Sequence, residues 1–92
     1  KPRVWFDAGA AAMSRPAGVR LDRRSRMLYD DERIYLNGES YLASGNDARA
    51  MHRLADRRRL AAADVRRLGV DARRLLVEWS RAGWLHDDPA KD

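Results

Sequence analysis

The spacing of apolar positions changes once along the chain, and the change divides it in two. Between Val19 and Ala43 apolar residues alternate with polar ones in four short runs, 19–22, 26–29, 33–37 and 39–43, separated by turn-forming residues. A period of two places every second side chain on one side of a strand, so these runs predict an antiparallel β meander over 19–45. After Ser44-Gly45 the spacing lengthens to about 3.6 residues, the repeat of a helix. Asn46 or Asp47 can cap a first helix whose Ala48, Met51, Leu54 and Ala55 share a stripe. A short second helix over 62–67 turns Val65 and Leu68 inward and stops at Gly69, a residue suited to a left-handed C-cap. Asp71 caps a third, with Ala72, Leu75, Leu76, Trp79 and Ala82 on one face and Gly83 at its end, before Trp84-Leu85-His86 adds a final strand or apolar clasp.

The sharpest local signal is Asn37-Gly38. Both residues tolerate positive φ, which a two-residue type I′ hairpin loop requires. That loop sets the register: Leu36 opposite Glu39, Tyr35 opposite Ser40, Ile34 opposite Tyr41. Ile34, Leu36 and Tyr41 then face the core together. The expected fold is α+β, an N-terminal antiparallel β meander followed by a three-helix, helix-turn-helix-like unit, winged-helix-like overall. One domain is expected over 1–92. Residues 1–18 would be a linker and opening strand, with a helical turn near 10–13; 19–45 form the meander, 46–86 the helical unit and 87–92 a polar tail.

Composition narrows the function more by exclusion than by indication. No apolar run approaches the ~18 residues of a membrane span, and no signal sequence or lipidation motif is visible, so a cytoplasmic domain without membrane contact is expected. The absence of Cys removes disulfides, thiolate catalysis and sulfur-bound zinc. The net charge is +5 with a pI near 10.4, which favours acidic partners. Because 17 of the 19 basic residues are Arg and 11 of the 14 acidic ones are Asp, the bias of a GC-rich genome accounts for much of that excess. The chain opens at Lys1-Pro2-Arg3 and enters Val4-Trp5-Phe6 at once, as a piece cut from the C-terminal part of a longer protein would.

Catalytic chemistry has little to work with. His52 and His86 belong to no His-x-Asp or His-x-x-x-His pair, and His52 beside the first helical stripe reads as a partly buried structural residue. The serines lack a nucleophile setting, and no Gly-rich phosphate loop occurs. Nucleic-acid binding is the stronger rival, since a basic trihelical unit is how many DNA readers are built. Residues 46–86 carry ten Arg against five acids. The outer face of the third helix would offer Arg73, Arg74, Val77, Glu78 and Arg81, and Val77 and Glu78 weaken it as a groove reader. The hairpins also precede the helices, where a wing should follow them, so DNA is disfavoured. Arg23, Arg24 and Arg26, at the expected tip of the first hairpin, form a second basic spot suited to an acidic protein surface or RNA phosphate. Arg57-Arg58-Arg59 reads as a solvated corner. Trp79 belongs to the core, Trp84 wedges the third helix against the sheet, and Trp5 is free to face a partner.

Three stretches carry a family resemblance: Val19-Arg20-Leu21-Asp22-Arg23-Arg24-Ser25-Arg26-Met27-Leu28-Tyr29-Asp30, Ile34-Tyr35-Leu36-Asn37-Gly38-Glu39-Ser40-Tyr41, and Glu78-Trp79-Ser80-Arg81-Ala82-Gly83-Trp84-Leu85. Together they resemble the C-terminal winged-helix-like domain of bacterial JmjC-type cupin oxygenases, the ribosomal oxygenases that hydroxylate arginine in a large-subunit ribosomal protein. The similarity spans roughly residues 3–86. It implies a parent enzyme that holds Fe(II) and 2-oxoglutarate with an His-x-Asp…His triad in an amino-terminal cupin barrel, followed by a helical dimerisation region. No residue here matches that triad, so the resemblance assigns this domain no catalytic, metal or cofactor residue and makes it non-enzymatic. Its expected partners are the parent's cupin and dimerisation domains, with homodimerisation through the parent chain, and a ribosomal protein or ribosomal RNA. Trp5, Arg23, Arg24, Arg26, Arg73, Arg74 and Arg81 are the candidate contacts.

Overall fold

In the computed structural model, which describes residues 17–89, Asn37 and Gly38 take φ of 49° and 92°. This left-handed pair closes the hairpin between β3 (Arg33–Leu36) and β4 (Glu39–Leu42) in the expected register, with Leu36 opposite Glu39 and Ile34 opposite Tyr41. The Asn37 side chain does further work: its Oδ1 accepts the Arg26 backbone N–H at 2.8 Å and its Nδ2 donates to Ser25 Oγ at 3.2 Å. β2 (Met27–Tyr29) completes an antiparallel sheet in the order β2-β3-β4. Ile34 and Leu36 are fully buried, and Tyr41 packs on them edge-on to the Trp79 ring.

β1 (Gly18–Leu21) departs from the expected meander. It pairs instead with β5 (Arg59–Leu60) and β6 (Leu85–Asp88), both antiparallel, in a second sheet ordered β5-β1-β6. Burial explains the choice. Val19 lies opposite Leu60 and Leu21 opposite Leu85, and all four are buried together. Segment 22–26 is therefore a link between sheets and not a hairpin tip. Its polar groups are bonded elsewhere: the Asp22 N–H and the Ser25 hydroxyl both donate to the Trp84 carbonyl, at 2.9 and 3.0 Å. Arg58 donates its guanidinium to the carbonyls of Asp22 and Ser25, at 2.8 and 2.9 Å.

Three helices follow the β2-β3-β4 sheet. α1 (Gly45–Arg57) starts at Ser44 instead of Asn46 or Asp47, and buries Ala50, Met51 and Leu54. Ala48 and Ala55 are half-buried. Asp47 acts across the fold, accepting the Gly69 N–H at 3.0 Å. α1 ends where Arg58 takes φ 66°, which turns the chain into β5, a two-residue strand with no apolar pattern to announce it. α2 (Ala62–Arg66) turns Val65 inward, with buried Leu68 just beyond it. Gly69 is not a left-handed cap. With φ −75° it is the N-cap of α3 (Val70–Arg81), and a Cβ there would lie 3.2 Å from Asp47 Oδ2. Asp71 accordingly sits in the first turn of α3 and caps nothing.

α3 buries Ala72, Leu76 and Trp79, with Leu75 partly covered, while Ala82 is exposed, contrary to the expected face. Gly83, at φ 83°, closes the helix. Its N–H reaches Ser80 O at 3.0 Å and that of Trp84 reaches Trp79 O at 2.9 Å, the two bonds of a Schellman motif. β6 then takes in Asp87 and Asp88, so the expected polar tail begins later. Trp5, the opening strand at Val4-Trp5-Phe6 and the turn near 10–13 lie outside the described residues.

Candidate functional site

The exposed side of α3 is where a winged helix meets DNA, and here two of its three cations are turned back on the protein. Arg73 Nη2 donates to the Arg66 carbonyl at 3.1 Å, satisfying the end of α2. Arg74 pairs with Asp71 one turn earlier, at 3.5 Å. Glu78 is exposed between Arg74 and Arg81, and Val70 at the helix start is 70% exposed. Arg81 has no bonded partner among the described residues.

Arg23, Arg24 and Arg26 do not stand at one hairpin tip. Arg24 folds back on Asp22, with its N–H and Nε 3.1 and 3.3 Å from Oδ2. Arg23 and Arg26 are exposed. His86 Nε2 lies 2.8 Å from the other Asp22 oxygen, and this bond, followed by that from the Arg24 N–H, holds the Asp22 carboxyl well below the usual carboxylate range. The outer face of the β2-β3-β4 sheet is open and carries Leu28, Tyr35 and Leu42 beside Arg33 and Ser40. Leu28 and Leu42 are 69% and 71% exposed, flanking a half-buried Tyr35 whose hydroxyl donates to Asp30 at 2.8 Å.

Sequence reasoning did not find the outer face of the other sheet. Arg20 stands directly between Arg59 on β5 and His86 on β6, all three on the side away from Val19 and Leu21. The alternation Val19-Arg20-Leu21 was enough to put Arg20 outside; nothing nearby in the chain tells which residues flank it. Arg58, expected to be solvated, braces the link between sheets. His52 is half-buried, as expected, and its ring stacks on Tyr29 at 3.9 Å; the Tyr29 hydroxyl donates to the Asp56 carboxylate at 3.0 Å, which raises its pKa.

A helix, a short strand, two further helices and a strand, with a third strand closing the sheet, define a winged-helix domain, a non-catalytic type of domain. The closing strand is β1, which precedes the helices, so it and not a strand returning from a wing lies beside β6. A family model described as ROXA-like winged helix matches residues 11–86, and the chain belongs to that family. No curated protein and no solved structure matches it. No helix among the described residues is long and apolar enough to cross a membrane.

An iron site does not fit the histidines present. The His52 ring is stacked on Tyr29, and His86 Nε2 is bound to Asp22. Among the described residues no group of three or more His, Asp or Glu could hold a metal ion.

Proposed function

We propose that this domain is the non-catalytic C-terminal interaction module of a JmjC/cupin-type ribosomal-protein hydroxylase, and that it packs on the catalytic and dimerisation parts of its parent. The parent, not this domain, would supply Fe(II) and 2-oxoglutarate. The observation that carries the reading is the contrast between two surfaces. The helix that reads DNA in other winged helices turns two of its three arginines, Arg73 and Arg74, onto the end of α2 and its own Asp71, whereas the outer face of the β2-β3-β4 sheet leaves Leu28 and Leu42 uncovered. Arg23 and Arg26 lie near that sheet and suit the polar rim of such a contact.

Hydrogen exchange tests the packing. The amides of 27–29 and 39–42 should exchange more slowly in the parent enzyme than in the 92-residue chain, and equal rates would refute the contact. The rival, a DNA-binding regulator, predicts submicromolar duplex binding that falls steeply with salt and is lost in Arg73→Ala/Arg74→Ala. That result would overturn the interaction-module reading.

A further inference from the structure

The row of cations on the β5-β1-β6 sheet borders an open cleft of about 750 Å³ between the end of α1, β5 and the start of α2. Arg59 belongs to both. Its neighbours in the cleft wall are Arg53 and Arg57, and its floor is the small apolar surface of Gly18, Leu60, Ala61, Ala62 and Pro89. Two acids face these cations, and each is engaged. Asp88 pairs with Arg59 at 3.0 Å, and Asp64 is shared between Arg53 and Arg67 at 3.5 and 3.7 Å. Arg20 and Arg57 are exposed and have no bonded partner among the described residues.

Two features of this arrangement ask for an anion. Arg20 sits directly opposite Arg59 on an adjacent strand, and because Asp88 already pairs with Arg59, Arg20 is left as the cation of this row without a bonded partner among the described residues. Arg53 is held by Asp64, its Nη2 donating to Oδ1 and its Nε lying 3.5 Å from Oδ2, so it lends charge to the cleft wall and not a free donor. The bonded acids leave the cationic side in excess. A carboxylate side chain would answer the charge but not fill the cleft. A nucleotide does both: its phosphates meet the guanidinium forks, which present parallel N–H donors to phosphate oxygens, and its flat uncharged base covers the apolar floor.

We infer that the cleft and the adjoining Arg20–Arg59 row bind a single nucleic-acid strand through its phosphodiester groups. The partner is single-stranded, because an unpaired strand can turn a base onto the cleft surface beside the phosphates it presents, whereas the bases of a duplex are stacked and paired. The binding is modest and salt-sensitive. No aromatic side chain lines the cleft for base stacking, so charge and shape supply the affinity. This surface is distinct from both α3 and the outer face of the β2-β3-β4 sheet, so the inference does not depend on how the domain meets its parent.

The test titrates the 92-residue chain into labelled oligouridylate and oligothymidylate of about eight nucleotides, a typical single-strand site, and into duplex DNA, by fluorescence anisotropy. The strands should bind more tightly than the duplex, with log K falling by about 0.7 for each phosphate held per unit of log salt. Arg20→Glu/Arg57→Glu should weaken binding by about tenfold or more, as loss of charge-assisted bonds predicts. Arg73→Glu/Arg74→Glu changes the net charge equally and should leave binding within about twofold, since α3 lies outside the site. Equal loss in the two double variants would reduce the effect to net charge and overturn the site. Tighter binding of the duplex, tighter binding of polyglutamate than of either strand, or no binding at all would overturn it as well. Equal affinity for the two strands upholds phosphodiester recognition, and preference for oligouridylate upholds it with an added ribose contact. Should the Glu variants unfold, NMR titration of the unaltered protein still decides. The amides of Gly18, Arg20, Leu60 and Ala61 must shift, and shifts confined to α3 would refute the assignment.

Discussion

Replacing Arg58 by Ala and by Gly separates two opposing contributions of one residue. Its backbone has φ 66°, a left-handed conformation that costs a residue with a Cβ about 1 kcal/mol relative to Gly. Its guanidinium donates to Asp22 O at 2.8 Å and Ser25 O at 2.9 Å, with a longer contact to Arg23 O at 3.5 Å. Two well-formed bonds from a charged donor at a largely exposed site contribute about 1–3 kcal/mol, and the long one little. Arg58→Ala loses the bonds and keeps the strain, so it should destabilise by about 2 kcal/mol, or roughly 10 °C in Tm for a domain of this size. Arg58→Gly loses the same bonds but relieves the strain, so about half of that loss should return, minus the extra chain entropy of Gly. Urea unfolding followed by far-UV circular dichroism, with both variants beside the unaltered chain, measures the three free energies. The order should be wild type, then Gly, then Ala. If Ala matched wild type, the guanidinium would not brace the link between the sheets; if Gly were less stable than Ala, the left-handed turn would carry no strain.

Other substitutions probe the remaining joints. A Cβ at Gly18 would stand 2.5 Å from the Leu60 carbonyl oxygen, a backbone atom that cannot move aside, so Gly18→Ala should cost about 2 kcal/mol or more in a thermal melt. Asn37→Ala gives up both the favourable residue for positive φ and two side-chain bonds, and should lose about 1–2 kcal/mol with faster amide exchange at Arg26. Asp22 is held ionised by His86 and the Arg24 N–H, so its native pKa lies below its unfolded one. The stability it supplies is complete above the ordinary carboxylate range and drains away as the pH falls through about 4 and below. Asp22→Asn should therefore flatten the acid side of the stability curve measured by Tm between pH 7 and 3, and an unchanged acid slope would contradict the pairing.

Parts of this architecture could be read from neighbouring residues. Asn37-Gly38 specified its hairpin and register because positive φ is decided by the residues that adopt it. Gly83 specified the end of α3 for the same reason, and the 3.6-residue stripe of Met51, Leu54, Leu76 and Trp79 identified the buried helix faces. The caps were harder. Asp47 and Gly69 carry cap chemistry in isolation, yet in the fold they bond to each other, 22 residues apart in sequence. Of the candidate contacts within the described residues, the sequence named the α3 arginines and Arg23, Arg24 and Arg26. The i,i+3 spacing of Asp71 and Arg74 announced their pairing, which the structure shows, but nothing local told that Arg73 would bond to the Arg66 carbonyl or Arg24 to Asp22.

The chain alone therefore determined the Asn37-Gly38 hairpin, the longer strands and the three helices with most of their apolar faces, but not β5, because backbone sterics and side-chain period act over a few residues. Tertiary structure decided which edges meet. Val19-Arg20-Leu21 alternates as well for a hairpin with 26–29 as for the center of another sheet, and only the joint burial of Val19, Leu21, Leu60 and Leu85 selects the second. That selection also brought Arg20 opposite Arg59 and beside His86, so the cationic row comes from distant segments packed around one core.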